Sequence, residues 1–257
     1  MRDDSGWIVH RYDSLGSTMD AAAALAATGV PEKTVVVAGE QTAGRGRGGR
    51  SWLAAAGSGL FCTLILRPGL PPDRLTTLPL LTGVAVAEAV ERLTGAPCQL
   101  KWPNDVWLGA DPANAKVAGI LVTSRLEDDR ANPVLVGVGV NVSTARADLP
   151  PGATSILHAT GRAVTPDAIL DAFLARFDRA YADFQDLGGR PSLVAWRARA
   201  ALLGERVTVV DGGRERGGRF VGIDEDGALL LEDSTSVVRR VIAGELARGP
   251  RSIRVRG

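Results

Sequence analysis

The sequence predicts an α+β fold, in which a mixed β-sheet packed with helices is followed by a small all-β segment. Two observations predict it. In the first two-thirds of the chain, apolar runs rich in β-branched residues alternate with segments whose apolar residues recur at helical spacing. From residue 204 onward, short apolar runs are separated by glycine and aspartate turn signals, which is typical of a small β-barrel. We therefore expect two domains, residues 1–203 and residues 204–257.

The first 142 residues contain six predicted strands and two of the predicted helices. Thr18 is expected to cap an alanine-rich helix that Gly29 ends. A second helical pattern covers residues 73–93, where Pro79 should kink the helix or mark its true start. Strands are predicted at residues 7–12, 34–38, 60–66, 99–102, 117–123 and 134–142.

The remaining elements lie toward the C-terminus. Thr165 followed by Pro166 is typical of a helix start, and apolar residues then recur at helical spacing. Another helix is predicted at residues 191–203, closed by Gly204. Beyond it, turns are predicted at residues 211–213, 217–218, 224–227 and 232–234. Because a β domain of about fifty residues is near the lower size limit for an independent core, we expect it to lean on the larger domain.

Composition excludes several classes of function. The 30 basic side chains nearly cancel the 29 acidic ones, so the chain has no global preference for nucleic acid or an anionic membrane. The first residues contain no apolar signal-peptide segment, and we expect a cytoplasmic protein. Cys62 and Cys98 lie far apart in apolar runs, which indicates buried thiols in a reducing compartment. With two histidines in the chain, no zinc-ligand pattern can be drawn, and we expect no structural metal.

The most unusual segment is the glycine-arginine loop, residues 44–52. It places three guanidinium groups in six positions, with no acidic residue between Gln41 and Pro72. Glycines let backbone N–H groups approach an anion, and arginine side chains keep their charge. The loop therefore predicts a phosphate or carboxylate site, although a solvated basic loop is the simpler alternative.

Two familiar phosphate motifs do not account for this loop. Gly44, Gly46 and Gly49 satisfy the pattern G-x-G-x-x-G. A dinucleotide fold also needs a helix that opens inside the motif and an acidic residue about twenty positions later, and both are missing from the predicted pattern. A P-loop needs a following Gly-Lys-Ser/Thr, which is absent from the sequence. The glycines must serve another anion-binding arrangement.

Three further segments carry polar groups at strand ends. Residues 101–105, Lys-Trp-Pro-Asn-Asp, place a cation, an amide and a carboxylate around one turn, where Asn and Asp also suit capping of their own backbone. Residues 116–121 begin with a lysine that heads an apolar strand, and such a lysine usually reaches into solvent. Residues 137–142 form a strand with spaced glycines, which indicates either close approach of a ligand or plain sheet packing. Each segment alone leaves both interpretations open.

Together, five segments in order resemble the successive motifs of biotin protein ligases. They are residues 16–18 (Gly-Ser-Thr), 41–47 (Gln-Thr-Ala-Gly-Arg-Gly-Arg), 101–105, 116–121 and 137–141. The resemblance implies a mixed-sheet catalytic domain of the class II synthetase/biotin ligase type, packed with helices, and a small SH3-like β-barrel at the C-terminus. Since few residues precede the first motif, it also implies a ligase without the N-terminal DNA-binding domain.

The resemblance also implies a reaction. In this family the carboxylate of biotin attacks the α-phosphate of ATP, giving biotinyl-5′-AMP and pyrophosphate, and a carrier lysine then attacks the mixed anhydride. The implied substrates are biotin and ATP, accompanied by Mg²⁺. The implied partner is the biotin carboxyl carrier domain of a biotin-dependent carboxylase. Neither DNA nor a membrane is implied as a partner, and a homodimer is left open.

The resemblance assigns roles to individual residues. Lys116 would bridge the biotin carboxylate and the α-phosphate, and Arg45 and Arg47 would be the other catalytic cations. Biotin would be bound by Ser17, Thr18, Met19, Gln41, Gly44, Arg45, Gly46, Arg47, Lys116, Gly119, Leu121, Gly137 and Val140. ATP would be bound by Arg47, Arg50, Trp52, Lys101, Asn104, Lys116 and Asn141. Asp105 is the candidate magnesium ligand. Because the adenylate is labile in water, the glycine-arginine loop should close over it.

The sequence departs from the family at two places, and two other functions stay open. Met19 stands where relatives usually carry asparagine, and the segment 109–115 is longer than is common. A lipoyl or octanoyl transferase has a related fold, but the three loop arginines favour an enzyme that uses a nucleotide. A nucleic-acid-binding module would use the loop and the tail arginines, but it lacks interleaved stacking aromatics. Those tail arginines are Arg239, Arg240, Arg248, Arg251, Arg254 and Arg256.

Overall fold

The computed structural model describes residues 6–52, 55–109, 115–127 and 130–249. Most of the long segment before Lys116 and the last three tail arginines therefore lie outside the described residues. Among the residues that the structure describes, no helix is long and apolar enough to cross a membrane.

A seven-stranded sheet forms the core of the larger part of the chain. Its strands are β1 (Ile8–Leu15), β2 (Thr34–Gln41), β3 (Gly59–Leu66), β4 (Cys98–Lys101), β5 (Asp105–Leu108), β6 (Lys116–Glu127) and β7 (Arg130–Asn141). They lie in the order β1-β2-β3-β7-β6-β5-β4. Strands β1 and β2 are parallel and every other neighbouring pair is antiparallel, so the prediction of a mixed sheet is confirmed.

In the part of the chain that the structure describes, five α-helices accompany this sheet. They are α1 (Thr18–Ala27), α2 (Leu78–Thr94), α3 (Ile156–Thr160), α4 (Pro166–Leu187) and α5 (Arg190–Ala198). The cap of α1 is Ser17 rather than Thr18, because the extended backbone of Ser17 lets its hydroxyl accept from the amide of Met19. Pro79 marks the true start of α2, at the first turn where its missing N–H costs no helical hydrogen bond. Helix α5 ends at Ala198, before the predicted closure at Gly204.

The helices divide between the two faces of the sheet. Helices α2, α4 and α5 pack together over one face, and the aromatic residues of α4 lie fully within that core. Lys33, in the turn before β2, pairs with Asp178 of α4 at 2.6 Å. On the opposite face α1 packs against β2, β3 and β7 with a much smaller apolar cluster. This second face is therefore only partly covered, and the rest of it is free to form a pocket.

A second, five-stranded antiparallel sheet follows. Its strands are β8 (Arg206–Asp211), β9 (Arg214–Ile223), β10 (Leu229–Glu232), β11 (Val238–Val241) and β12 (Glu245–Arg248). Their order is β11-β10-β9-β8-β12, which makes β11 and β12 the edges in the hydrogen-bonding pattern. The α+β class and the C-terminal β segment are confirmed, and closure of that segment into a barrel stays a prediction, as do the exact domain boundaries.

The sequence prediction was wrong for one turn and missed one strand. Gly217 and Gly218 lie inside β9, paired with Thr208 and Val207, because two glycines without positive φ fit an extended strand. Strand β5 is only four residues long, and its alternating burial is too short a signal to separate it from the preceding turn.

Hydrogen bonds join the larger part of the chain to the end of β9 and to the turn that follows it. The buried indole Nε1 of Trp102 donates to the carbonyl of Gly227 at 3.0 Å. Arg197 of α5 donates to the carbonyl of Ile223 at 2.9 Å. The expectation that the small β segment leans on the larger domain is therefore met by buried polar contacts as well as by the shared apolar core.

Candidate active site

A cavity of about 490 Å³ lies on the partly covered face of the seven-stranded sheet, between α1, the glycine-arginine loop and the start of β12. Strand alternation decides which residues face it. On β7, Gly137, Gly139 and Asn141 line the cavity, and Val140 packs in the helix-covered core. The cavity is of the size that encloses a small organic ligand.

One end of the cavity is polar and uncharged. The backbone amide of Thr18 donates to Gln41 Oε1 at 2.8 Å, and the Thr18 hydroxyl donates to the same oxygen at 3.0 Å. The buried hydroxyl of Thr63, on β3, donates to the Thr18 hydroxyl at 2.9 Å. Because two donors occupy the amide oxygen of Gln41, its NH₂ group is the part that remains as a donor to a ligand.

Met19 and Cys62 give this end an apolar wall. Met19 is the second residue of α1, and its side chain lies against Gly137 of β7. Cys62 also lines the cavity. Burial raises the pKa of the Cys62 thiol to about 12, so Cys62 is not a thiolate nucleophile at neutral pH.

The other end of the cavity holds two lysines around one carboxylate. Lys116 Nζ lies 2.7 Å from Asp105 Oδ1, and Lys101 Nζ lies 4.0 Å from Asp105 Oδ2. The sheet register produces this grouping, because Lys101 pairs with Asp105 across the β4–β5 hairpin. Burial lowers the pKa of Lys101 below its ordinary value of 10.5, against the opposing effect of Asp105 and Glu245. Two cations and one anion leave this end net positive.

The glycine-arginine loop forms the roof, and each of its arginines has a partner. Arg45 pairs with Asp20 of α1 at 2.9 Å. Arg47 donates to the carbonyl of Gly244 at 2.7 Å, and Arg50 pairs with Glu245 of β12 at 2.8 Å. These contacts join the loop to both parts of the molecule. The two acidic partners, Asp20 and Glu245, are exposed groups that a phosphate or carboxylate can replace.

The base of the loop is closed by its own backbone. The amide of Trp52 donates to the carbonyl of Gly44 at 2.9 Å, and the amide of Gly46 donates to the carbonyl of Arg50 at 2.7 Å. A Cβ at Gly44 would lie 2.3 Å from the carbonyl oxygen of Trp52, so only glycine fits there. Gly44 therefore has a structural role in the loop, at a position that does not line the cavity.

Glu245 brings the second sheet into the site. It lines the cavity together with the loop arginines. The hydrogen bond from Arg50 is the main cause of its lowered pKa, and the nearby Lys101 and Lys116 act in the same direction. The sequence pattern did not single out Glu245 or Thr63, because each lies far along the chain from the motifs it contacts.

The two predicted asparagines are held by the backbone. The amide nitrogen of Asn104 donates to the carbonyl of Ile120 at 2.8 Å, and that of Asn141 donates to the carbonyl of Thr154 at 3.0 Å. Their side-chain oxygens therefore remain as the groups available to a ligand. Trp52 lies over the sheet at the same end, with Lys116 Nζ 5.4 Å from its ring centroid.

The structure brings most of the predicted residues together and leaves three aside. Those that line the cavity are Thr18, Met19, Gln41, Arg45, Gly46, Arg47, Arg50, Trp52, Lys101, Asn104, Asp105, Lys116, Gly119, Leu121, Gly137 and Asn141. Ser17 caps α1, Gly44 closes the loop and Val140 faces the helices, so these three lie behind the cavity wall. Their binding roles, like those of the lining residues, stay predictions.

The side chains present do not fit a magnesium ion held by the protein alone. In the described residues, no group of three His, Cys, Asp or Glu side chains is placed to hold a metal. Asp105 is already the counter-ion of two lysines, whose ammonium groups would repel a dication. A metal in this cavity would need other oxygen ligands, such as phosphates and water.

Comparison with known proteins identifies the family. The model of the Biotin/lipoate A/B protein ligase family matches residues 13–141, and that of the Biotin protein ligase C terminal domain matches residues 202–248. The chain belongs to the biotin protein ligase family. The two matched regions contain the cavity motifs and the second sheet, respectively.

Relatives of this family agree with the match. The biotin–[acetyl-CoA-carboxylase] ligase of Paracoccus denitrificans is 40% identical over 212 residues, covering 80% of this chain and 86% of that protein. The bifunctional ligase/repressor BirA of Bacillus subtilis is 34% identical, covering 93% of this chain and 73% of that protein. The structure of the Aquifex aeolicus biotin protein ligase with biotin and ATP has a TM-score of 0.79 at 30% identity, covering 93% of this chain and 97% of that chain.

Proposed function

We propose that this protein is an ATP-dependent ligase that activates biotin as biotinyl-5′-AMP and transfers it to a lysine of a biotin carboxyl carrier domain. In the first step a biotin carboxylate oxygen bonds to the α-phosphorus of ATP, and pyrophosphate leaves. In the second step the ε-amine of the carrier lysine bonds to the activated carbonyl carbon, AMP leaves with the bonding electron pair, and the amine loses a proton.

The observation that carries the proposal is a cavity with an uncharged polar end and a cationic end on one sheet face. Thr18 and Gln41 supply hydrogen-bonding groups suited to the ureido ring of biotin. Lys101 and Lys116 lie where a carboxylate and a phosphate would meet. Two anions about 4 Å apart repel by roughly 4 kcal/mol at an effective dielectric of about 20, and nearby cations offset that cost.

Each cation would have its own part in this chemistry. Lys116, partly exposed and beside Asp105, would contact both the biotin carboxylate and the α-phosphate. The loop arginines Arg45 and Arg47 would exchange their present partners for the ligand, which would keep the roof closed over it and exclude water. Arg50 and Lys101 would meet the phosphates that leave.

The proposal also covers the metal ion, the protein partner and the cellular location. Magnesium would arrive with ATP, held by the phosphates as part of the substrate. The carrier domain of a biotin-dependent carboxylase would be the protein partner, in keeping with the name of the Paracoccus denitrificans relative. A cytoplasmic location is supported by the two free, buried cysteines. The homodimer and the absence of a DNA-binding domain stay predictions.

A biotin-dependent pyrophosphate assay tests the function. Purified protein with biotin, ATP and magnesium should release pyrophosphate, and it should then label an added carrier domain at one lysine. Reactions without biotin, and a carrier whose acceptor lysine is replaced by arginine, are the controls. Pyrophosphate release that is equal with and without biotin would refute the assignment.

The alternatives have less support. Relatives that cover most of this chain are named as biotin ligases, which favours biotin over lipoate or octanoate. For nucleic acid, the tail arginines in the described part of the chain are already paired with acids. Arg248 contacts Glu205 at 2.9 Å, Arg239 contacts Asp233 at 3.1 Å, and Arg240 lies between Asp224 and Asp226. These three arginines are thus bound within the second sheet, and none of the three lines the cavity.

A further inference from the structure

We infer that Gly119 and Gly139 are positioning residues for Trp52, and that together they form the slot in which its indole ring lies. The two glycines are directly paired across neighbouring strands β6 and β7. Directly paired residues point to the same face of a sheet, so the pair leaves one continuous gap without side chains on the cavity face.

The indole of Trp52 fills that gap. A Cβ at Gly119 would lie 2.7 Å from Trp52 Cζ3, and a Cβ at Gly139 would lie 2.6 Å from Cε2 and 2.8 Å from Nε1. Cζ3 and Cε2 are opposite corners of the six-membered ring. The ring therefore spans both glycines, in van der Waals contact with the bare backbone of two strands.

Trp52 cannot move aside cheaply if a methyl group enters the slot. Its amide is bonded to Gly44 at the base of the loop, and its carbonyl oxygen lies against the Cα of Gly44. The colliding atoms belong to a rigid ring rather than to the far end of a flexible chain. An alanine at either glycine should therefore lift the ring and shift it relative to Lys116, which lies 5.4 Å from the ring centroid.

A neighbouring glycine, Gly137, also leaves space that a protein side chain occupies. A Cβ at Gly137 would lie 2.8 Å from Met19 Sδ. The three glycines of β6 and β7 that line the cavity thus each receive a protein side chain. Glycines in strands also permit close approach of a ligand, and that explanation makes a different prediction: alanine would then obstruct the ligand without moving Trp52 in the free protein.

Fluorine NMR of protein labelled with 5-fluorotryptophan separates these explanations. The chain has five tryptophans, and the Trp52 signal is assigned from Trp52→Phe. In the ligand-free protein, Gly119→Ala and Gly139→Ala should each shift the Trp52 signal and leave the other signals in place. The matched control is Gly217→Ala in β9, where an added Cβ has only one neighbour, 4.0 Å away. An unchanged Trp52 signal in both pocket variants would overturn the inference.

A kinetic arm rests on the proposed function. If Trp52 must lie in the slot to contact a substrate ring, Gly139→Ala should raise the KM for ATP about tenfold, which corresponds to the loss of one aromatic stacking contact. In a Trp52→Ala background the same substitution should add less than about twofold. Equal effects in the two backgrounds would refute positioning through Trp52. A shifted Trp52 signal without any biotin-dependent activity in the wild type would refute the proposed function alone.

A folding control covers the case in which Gly139→Ala does not fold. If the cause is collision with the indole, the double variant Gly139→Ala, Trp52→Ala should recover the wild-type circular dichroism spectrum. Failure of the double variant to fold would contradict the slot, because the collision is then with something other than Trp52.

Discussion

Each charged side chain at the cationic end of the cavity has an ionic partner. Lys116 has Asp105, which it shares with Lys101, and Arg50 has Glu245. These acidic partners fix the positions of the cations. They do not cancel the net positive charge of this end, because there are fewer acids than bases. An incoming anion thus meets side chains whose positions are already set, which reduces the ordering cost of binding.

Lys116→Ala should abolish adenylate formation and leave the fold intact. Loss of the cation that offsets about 4 kcal/mol of repulsion should slow biotin-dependent pyrophosphate release by about three powers of ten. The free energy of unfolding should fall by only about 1 kcal/mol, since Asp105 keeps Lys101 as a partner. The matched control is Lys33→Ala, which removes a lysine on the far side of the molecule. Turnover within tenfold of wild type would exclude Lys116 from the mechanism.

Lys101→Arg should change the alkaline pH dependence of ATP binding. Burial lowers the pKa of Lys101, so it loses its proton, and its attraction for phosphate, at a lower pH than an ordinary lysine. Arginine stays protonated, so the alkaline rise in the KM for ATP should move to higher pH. The effect of Lys101 on the stability of the fold has the opposite pH dependence. Between its pKa in the folded chain and its higher pKa in the unfolded chain, the unfolded chain binds more protons, so the free energy of unfolding rises with pH. Superimposable profiles for wild type and variant would contradict the prediction.

At the residue scale, the sequence predicted which lysines and arginines line the cavity, but it misplaced Val140 and did not indicate Glu245. Three guanidinium groups in a glycine-rich loop predict an anion site, and that role stays a prediction. Gly137 and Val140 were both placed under biotin, yet residues three apart on a strand face opposite sides. The alternation of side chains along the predicted strand 134–142 was therefore enough to exclude one of the two. Glu245 gave no such signal, because only the docking of the second sheet brings it to the cavity.

At the scale of elements, the glycine-arginine loop is held from both sides and by its own base. Arg45 reaches α1, and Arg47 and Arg50 reach the segment that begins β12. The contacts to acids are exposed ion pairs, each of which contributes little on its own. The loop is therefore closed in this structure by several weak polar contacts of its arginines, together with the packing of Trp52 at its base.

Ligand binding should protect the loop from trypsin. With biotin and ATP, cleavage after Arg45, Arg47 and Arg50 should slow at least about tenfold, because each guanidinium group acquires an anionic partner. In the absence of ligand, Glu245→Gln should speed cleavage about twofold, as expected from the loss of one exposed ion pair. The matched control is Glu232→Gln, whose partner Arg219 lies within the second sheet. Cleavage that responds to neither change would contradict closure of the loop over the site.

Elements with a strong local signal were predicted well, and short ones were not. The cap and proline at the start of α4, and the apolar run of β3, are present as expected. The helix α3 and the strand β5, five and four residues long, were missed. Their formation depends on neighbours in the sheet and the core, which a single sequence does not display.

At the scale of the whole molecule, the second sheet is part of the site. It supplies Glu245 to the cavity and Gly227 to Trp102, which lies between the pocket residues Lys101 and Asn104. In residues 101–105 the polar side chains thus line the cavity, and the tryptophan contacts the C-terminal β segment.

Trp102→Phe should weaken the contact between the two sheets. The substitution keeps most of the apolar surface but leaves the buried carbonyl of Gly227 without its donor, at a cost of about 1–3 kcal/mol. Urea unfolding should show a lower midpoint, and the KM for ATP should rise because Lys101 and Asn104 lose their common support. A midpoint and a KM equal to those of the wild type would show that the bond is dispensable.

The chain contains three lysines among its 30 basic residues, and two of them lie in the cavity, where both are ion-paired with Asp105. The third, Lys33, is tied to Asp178. An acyl-adenylate that escaped into solution would find Lys33 as the one lysine outside the cavity, since the other basic side chains are guanidinium groups that stay protonated. Such a catalyst is built to resist acylation by its own intermediate, and Lys33 is the side chain on which any such damage should appear first.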